Sequence, residues 1–145
     1  MVQLSRGTFH CVLLTPGGKL LDCKAGALVL PAHDGLRGVL RNHAPMLCKL
    51  GVGIVEVRQI AGRGDAFFLI DGGFARISEN FVTVLAHEVT TFEGMERDEA
   101  EGIVSKARSI VVGGAYISRQ IGAGDMERAK QLVKLARLSS VLSDK

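Results

Sequence analysis

The sequence predicts an all-β sandwich of about ten strands followed by a C-terminal α-helical hairpin. Three observations predict it. Short apolar runs recur at roughly ten-residue intervals over 8–92, separated by Gly, Pro, Asn and Asp turn residues. Of the 18 glycines, 13 lie in Met1–Gly94, where short strands and tight turns need backbone freedom. After Gly94 the apolar residues recur at spacings of three and four, as a helix face requires. The expected domains are therefore 1–92 and 93–145.

Thr8–Leu14 reads as a strand closed by Thr15-Pro16-Gly17-Gly18, a strong turn signal. Lys19–Ala25 follows, then Gly26 and the apolar run Ala27–Leu30, stopped by Pro31. Ala32–Gly35 reads as a polar loop, Gly38–Leu40 as a short strand, Arg41–Pro45 as a second loop and Met46–Leu50 as a strand. Gly51 and Gly53 bracket a turn. Ile54–Ile60 alternates most clearly, with Val55 and Val57 on one side and Glu56 and Arg58 on the other. Ala61–Asp65 is a hairpin loop, Ala66–Ile70 a strand and Asp71-Gly72-Gly73 a tight turn. Phe74–Ile77 and Phe81–Ala86 are strands joined through Ser78–Asn80, and His87–Phe92 extends the sheet. No helical stretch interrupts the series, so a parallel βαβ sheet is not expected.

Glu96–Val112 reads as a helix with acids in its first turn, which the helix dipole favours. Its apolar face is Ala100, Ile103, Val104, Ala107, Ile110 and Val111. Asp125 is expected to cap a second helix through about Leu142, with a stripe of Met126, Ala129, Val133 and Ala136 widened by Leu132, Leu135, Leu138 and Leu142. Two one-faced helices pack most simply as an antiparallel hairpin. Gly113–Gly124 links them, as a loop or with a short helical turn at 115–121.

The net charge of +3 is too small to mark a nucleic-acid binder. It averages +2 over residues 1–92 (9 basic, 7 acidic), −4 over 93–101 and +5 over 102–145. An acidic start and a basic end suit helices that fold back or dock on an acidic partner. Cys11, Cys23 and Cys48 fit no CxxC or Cys/His metal spacing and read as reduced, largely buried thiols. Met1–Gly7 has no apolar signal core, and no apolar run approaches the ~18 residues of a membrane span. Membrane association is expected only through partners.

Among His10, His33, His43 and His87, no pair has metal-ligand spacing, and His33-Asp34 lacks a neighbouring nucleophile. His43, before Ala44-Pro45, is expected to fix a turn. Gly35-Leu36-Arg37-Gly38 and Gly62-Arg63-Gly64-Asp65 are turn chemistry rather than a phosphate loop. The basic face of the last helix, Arg128, Lys130, Lys134 and Arg137, lacks interleaved aromatics, so a solvated or partner-facing helix is expected and nucleic acid is not. The residues alone describe a non-enzymatic β-domain with a helical appendage.

Several stretches carry a resemblance. Leu30-Pro31-Ala32-His33-Asp34-Gly35-Leu36-Arg37-Gly38-Val39-Leu40-Arg41-Asn42-His43-Ala44-Pro45 resembles the LPxxxGxxGxLxxHAP signature of the epsilon subunit of F-type ATP synthase. Phe67–Ala75 is similar to that family's FxxxxGGF hairpin, Phe81–Ala86 to its xVTVLA strand, and Phe9–Gly18 to its opening FxxxIVTPxG. The matches keep order and spacing over about 8–90.

The resemblance implies a ten-stranded sandwich with two C-terminal helices, acting as a rotor part of the central stalk. Such a subunit binds the gamma subunit with one side and the membrane c-ring with one end. It couples proton-driven rotation to ATP synthesis without performing chemistry. It implies that Gly35, Leu36, Arg37, Gly38, Arg41, Asn42 and His43 lie in loops at those contacts, with Leu36 making an apolar contact where many relatives carry an acid. It also implies that the helices can extend towards the catalytic alpha and beta subunits and inhibit hydrolysis, with Arg128, Lys130, Lys134 and Arg137 meeting acidic segments. An ATP motif opening the first helix in some relatives is degenerate here. Glu96 replaces its Asp and Glu99 its Arg, beside Ala100, and an acid in place of the cation repels phosphate. No cofactor is expected. The intact N-terminus suggests the cytoplasmic face of a bacterial inner membrane. The reading from a different class is a free-standing nucleotide- or small-ligand-binding β-module whose helices form a lid.

Overall fold

The computed structural model describes residues 7–92, 97–112 and 123–139. The chain divides into two compact units, Met1–Val89 and Thr90–Lys145.

The first unit is an eight-stranded ladder: β1 Phe9–Thr15, β2 Gly18–Ala25, β3 Ala27–Ala32, β4 Gly35–Leu40, β5 Met46–Ile60, β6 Gly64–Ser78, β7 Phe81–Ala86 and β8 Val89–Thr90. The order is β2-β1-β7-β6-β5-β3-β4, with β8 against β6. Neighbours among β1–β7 pair antiparallel, except that β1 and β7 run parallel. Strand β7 uses only the Gly73–Ser78 half of β6, and β3 pairs mainly with the Glu56–Arg58 half of β5. The ladder therefore forms two leaves, joined through β5 and β6, around one core.

That core follows period-two alternation. Phe9, Cys11 and Leu13 of β1, Val82, Val84 and Ala86 of β7, and Val55 and Val57 of β5 are all buried in it. The expected count of about ten strands becomes eight because β5 and β6 each run 15 residues. Gly51 and Gly53 on β5, and Gly72 and Gly73 on β6, sit inside continuous strands where separate turns were expected. Gly73 shows why glycine is needed. Its φ is +139°, and a Cβ there would stand 2.0 Å from the Leu85 carbonyl oxygen. The turn expected at Ser78–Asn80 is present and closes through Glu79-Asn80, both at positive φ (51° and 60°), as a two-residue hairpin between right-twisted strands demands.

The second unit holds α1 Arg97–Val112 and α2 Ala123–Ser139, which pack as a hairpin. Ala100, Val104 and Ala107 bury one stripe of α1, and Ala129, Leu135 and Ala136 one stripe of α2. Asp125 lies inside the first turn of α2, not at the expected cap, because the helix already starts at Ala123. The link 113–122 and the expected end of the second helix near Leu142 lie outside the described residues. Among the described residues no helix is long and apolar enough to cross a membrane.

Candidate functional site

The outer face of the β2-β1-β7-β6-β5 leaf carries the most unusual chemistry. The ladder register places its residues in rows. Leu14, Leu85, Phe74 and Lys49 form one row. Val12, Thr83, Arg76 and Leu47 form the next. His10, Phe81 and Ser78 form a third. Leu47 is 72% exposed, Leu85 51% and Phe74 47%. This group of exposed apolar side chains makes the face the candidate docking surface. Arg76, Ser78, Phe81 and Thr83 line a shallow cleft beside it.

One border of the face is polar and fixed. Asp22 accepts hydrogen bonds from Lys19 Nζ at 2.8 Å and from the His10 ring, whose other neighbour is Phe81, stacked at 4.6 Å between centroids. The Lys19 hydrogen bond first, then that of His10, hold the Asp22 carboxyl below its ordinary value.

Sequence reading missed this surface. Its signal was present in Phe81-Val82-Thr83-Val84-Leu85-Ala86, where Phe81 and Leu85 occupy the positions that alternation reserves for polar residues. A strand apolar on both faces is covered on both faces.

The expected contact segment divides. Gly35, Leu36, Arg37 and Gly38 are not in a loop. They form most of β4, because β3 turns back at His33-Asp34 and pairs Pro31 with Leu36 and Val29 with Gly38. Leu36 and Leu40 share its outward side, 67% and 58% exposed. Arg37 reaches Asp34 at 3.7 Å, and its Nε is buried without a hydrogen-bond partner.

Arg41, Asn42 and His43 do lie in the following turn. Asn42, at φ 68°, is held by Asn80: its N–H donates to Asn80 Oδ1 at 2.6 Å, and Asn80 Nδ2 donates to Asn42 Oδ1 at 3.2 Å. The His43 ring meets the Ala44 carbonyl oxygen at 2.7 Å, as a turn-fixing histidine should. Asn42 and His43 thus set the shape of this turn, and Asn80, 38 residues away, is the positioning partner that sequence reading did not single out.

Lys130, Lys134 and Arg137 are exposed on α2, and their spacing of four and three puts them on one side. The side chain of Arg128 lies outside what is described. Glu99 is exposed and Ala100 buried on α1, while Glu96 lies outside the described residues. Asp65 of the Arg-Gly-Asp tripeptide accepts from the Gln59 backbone N–H at 2.9 Å and lies 3.6 Å from Arg58, so it serves its own hairpin. No cluster of three or more His, Cys, Asp or Glu arranged for a metal occurs among the described residues.

Residues 8–92 match the family model for the ATP synthase delta/epsilon chain β-sandwich domain. The ATP synthase epsilon chain of Rhodopirellula baltica is 34% identical over 100 residues, covering 69% of this chain and 77% of that one. The chloroplastic epsilon chain of Chlamydomonas reinhardtii is 32% identical over 133 residues, covering 86% and 94%. In fold, the chain is similar to a chain in the Euglena gracilis mitochondrial ATP synthase structure of OSCP, F1 and c-ring in rotational state 1. The TM-score there is 0.60 at 19% identity, over 94% of this chain and 82% of that one. The sandwich matched over its whole length, and relatives above 30% identity that extend into the helices, together mean that the chain belongs to the ATP synthase epsilon-chain family.

Proposed function

We propose that the chain acts as the epsilon subunit in the central stalk of an F-type ATP synthase, a non-catalytic rotor part that passes torque between the gamma subunit and the c-ring. The observation that carries this is the exposed apolar group Leu47, Phe74 and Leu85, gathered on the outer face of one leaf of the sandwich. Gamma covers that face in this reading. Leu36 and Leu40, on the outward side of β4, meet the c-ring through apolar contact. The protein is peripheral, held at the membrane by these partners, on the cytoplasmic side in a bacterium.

In the same reading the helical unit tunes hydrolysis. Lys130, Lys134 and Arg137, with Arg128, meet acidic segments of the catalytic alpha and beta subunits when the helices extend. Complementary charge of this kind sets association rate and register more than affinity.

The test is reconstitution. Phe74→Glu with Leu85→Glu leaves the isolated chain folded, since both side chains are about half exposed and neither belongs to the core, and abolishes its recovery with gamma. A doubly substituted chain that still co-purifies with gamma at the wild-type yield would overturn the assignment of that face.

A further inference from the structure

Strands β1 and β2 bring two thiols together in the core-facing column of their ladder. Three successive inward pairs are Phe9 with Ala25, Cys11 with Cys23, and Leu13 with Leu21. The middle pair is the unusual one. Both cysteines are free, Cys11 is fully buried, and Cys23 is half-buried against the same core. Directly opposed residues of an antiparallel pair have Cα atoms about 4.5–5.5 Å apart, inside the range of about 4.4–6.8 Å that a disulfide spans. Strand β2 is also the end of the ladder, so Cys23 sits at its rim.

We propose that Cys11 and Cys23 form a reversible dithiol–disulfide site that staples the edge strand β2 to β1, oxidised by a low-molecular-weight disulfide such as oxidised glutathione. The chemistry runs in two exchanges. The Cys23 thiolate attacks one sulfur of the external disulfide, whose S–S bond breaks; one thiolate leaves and takes up a proton. Cys11 then gives up its proton and attacks Cys23 Sγ, and the second external thiolate leaves with that proton. Two protein thiols are oxidised and one external disulfide is reduced to two thiols.

The surroundings set the order. Burial pushes the Cys11 thiol up to about 12, with Cys23 and then Asp22 adding to the rise, so Cys11 is the slow second partner. Burial also raises Cys23, but the Arg63 charge opposes that rise, and its rim position admits the oxidant first. Cys48, on β5, pairs with Ala75 and has no cysteine opposite it.

The reduced full-length chain is incubated folded with oxidised glutathione, acid-quenched, then alkylated under denaturing conditions and peptide-mapped. The expected product links Cys11 to Cys23, leaves Cys48 alkylated and reverts with a dithiol reductant. Cys48→Ala retains the link, and Cys23→Ala, a change at the rim, loses it. Oxidation also slows amide exchange across Leu21–Ala25 by about tenfold or more. A stable mixed disulfide at Cys23 without the link overturns the proposal. So does a link through Cys48, or a Cys11–Cys23 link that forms only after denaturant is added.

Discussion

The sandwich and the helical hairpin are held together by different means. The sandwich closes through long-range ladders around Leu13, Leu28, Leu30, Ile70 and Ile77, all fully buried branched side chains. Among the described residues of the hairpin, four of the six buried ones are alanines, with Val104 and Leu135 as the larger groups. Apolar stabilisation scales with the area removed from water, at about 25 cal/mol per Å². An alanine seam therefore lets helices approach closely but contributes little. One unit is built to keep its shape and the other to open readily.

The largest effect is expected at the join of the two leaves. Gly73→Ala places a methyl on the Leu85 backbone in a region of φ closed to side chains. A loss of about 3 kcal/mol or more is expected, read as a collapsed midpoint in denaturant titration. A midpoint within error of wild type would mean that β6 can straighten there.

Next comes a matched pair. Leu30→Ala in the sandwich and Leu135→Ala in the hairpin each remove a fully buried leucine. The first is expected to cost about 3–4 kcal/mol in the main unfolding transition. The second, in a seam that is mostly alanine among the described residues, is expected to cost about 2 kcal/mol, seen as lost helical circular dichroism. Equal costs would break the contrast.

The same contrast explains what was legible in the sequence. Turn residues and alternation exposed the strands of the sandwich because each local signal agrees with the ladder. They misread Gly51, Gly53, Gly72 and Gly73, since a glycine that bends a continuous strand and one that ends it look alike along the chain. They also gave no warning that Gln59, at φ 57°, sits where the β5–β6 register shifts. The signature Gly35-Leu36-Arg37-Gly38 identified a segment but not its strand conformation, which depends on pairing with β3. The outer apolar rows showed only in part, through Phe81 and Leu85, because which residues of neighbouring strands join them in a row is decided by the ladder register. The helical character of 97–112 was legible, because a helix is a local structure.

The basic side of α2 is tested by charge reversal. Lys130→Glu, Lys134→Glu and Arg137→Glu together leave the folded chain near its wild-type stability, since all three are exposed. In the reconstituted complex they are expected to raise ATP hydrolysis severalfold, by removing the attraction to acidic segments of the catalytic subunits. Unchanged hydrolysis would mean that the basic face is no brake.

The smallest effect is expected at the rim of the docking face, and it carries a sign. The carboxyl of Asp22 is held below its ordinary value of 3.8 by Lys19 and then His10. A depressed folded value means that ionised Asp22 favours the folded state. Its contribution is complete above the unfolded value and disappears as the pH falls through the folded one. Asp22→Asn should therefore lower Tm slightly at pH 7, by no more than about 2 °C, because the group is exposed and screened. The gap between the two proteins should close below about pH 4, as wild type loses what the variant never had. High salt should narrow it at pH 7 as well. A gap that persisted at pH 2 would show that the substituted amide disturbs the β1–β2 ribbon by its shape, and that the border is held by packing rather than by charge.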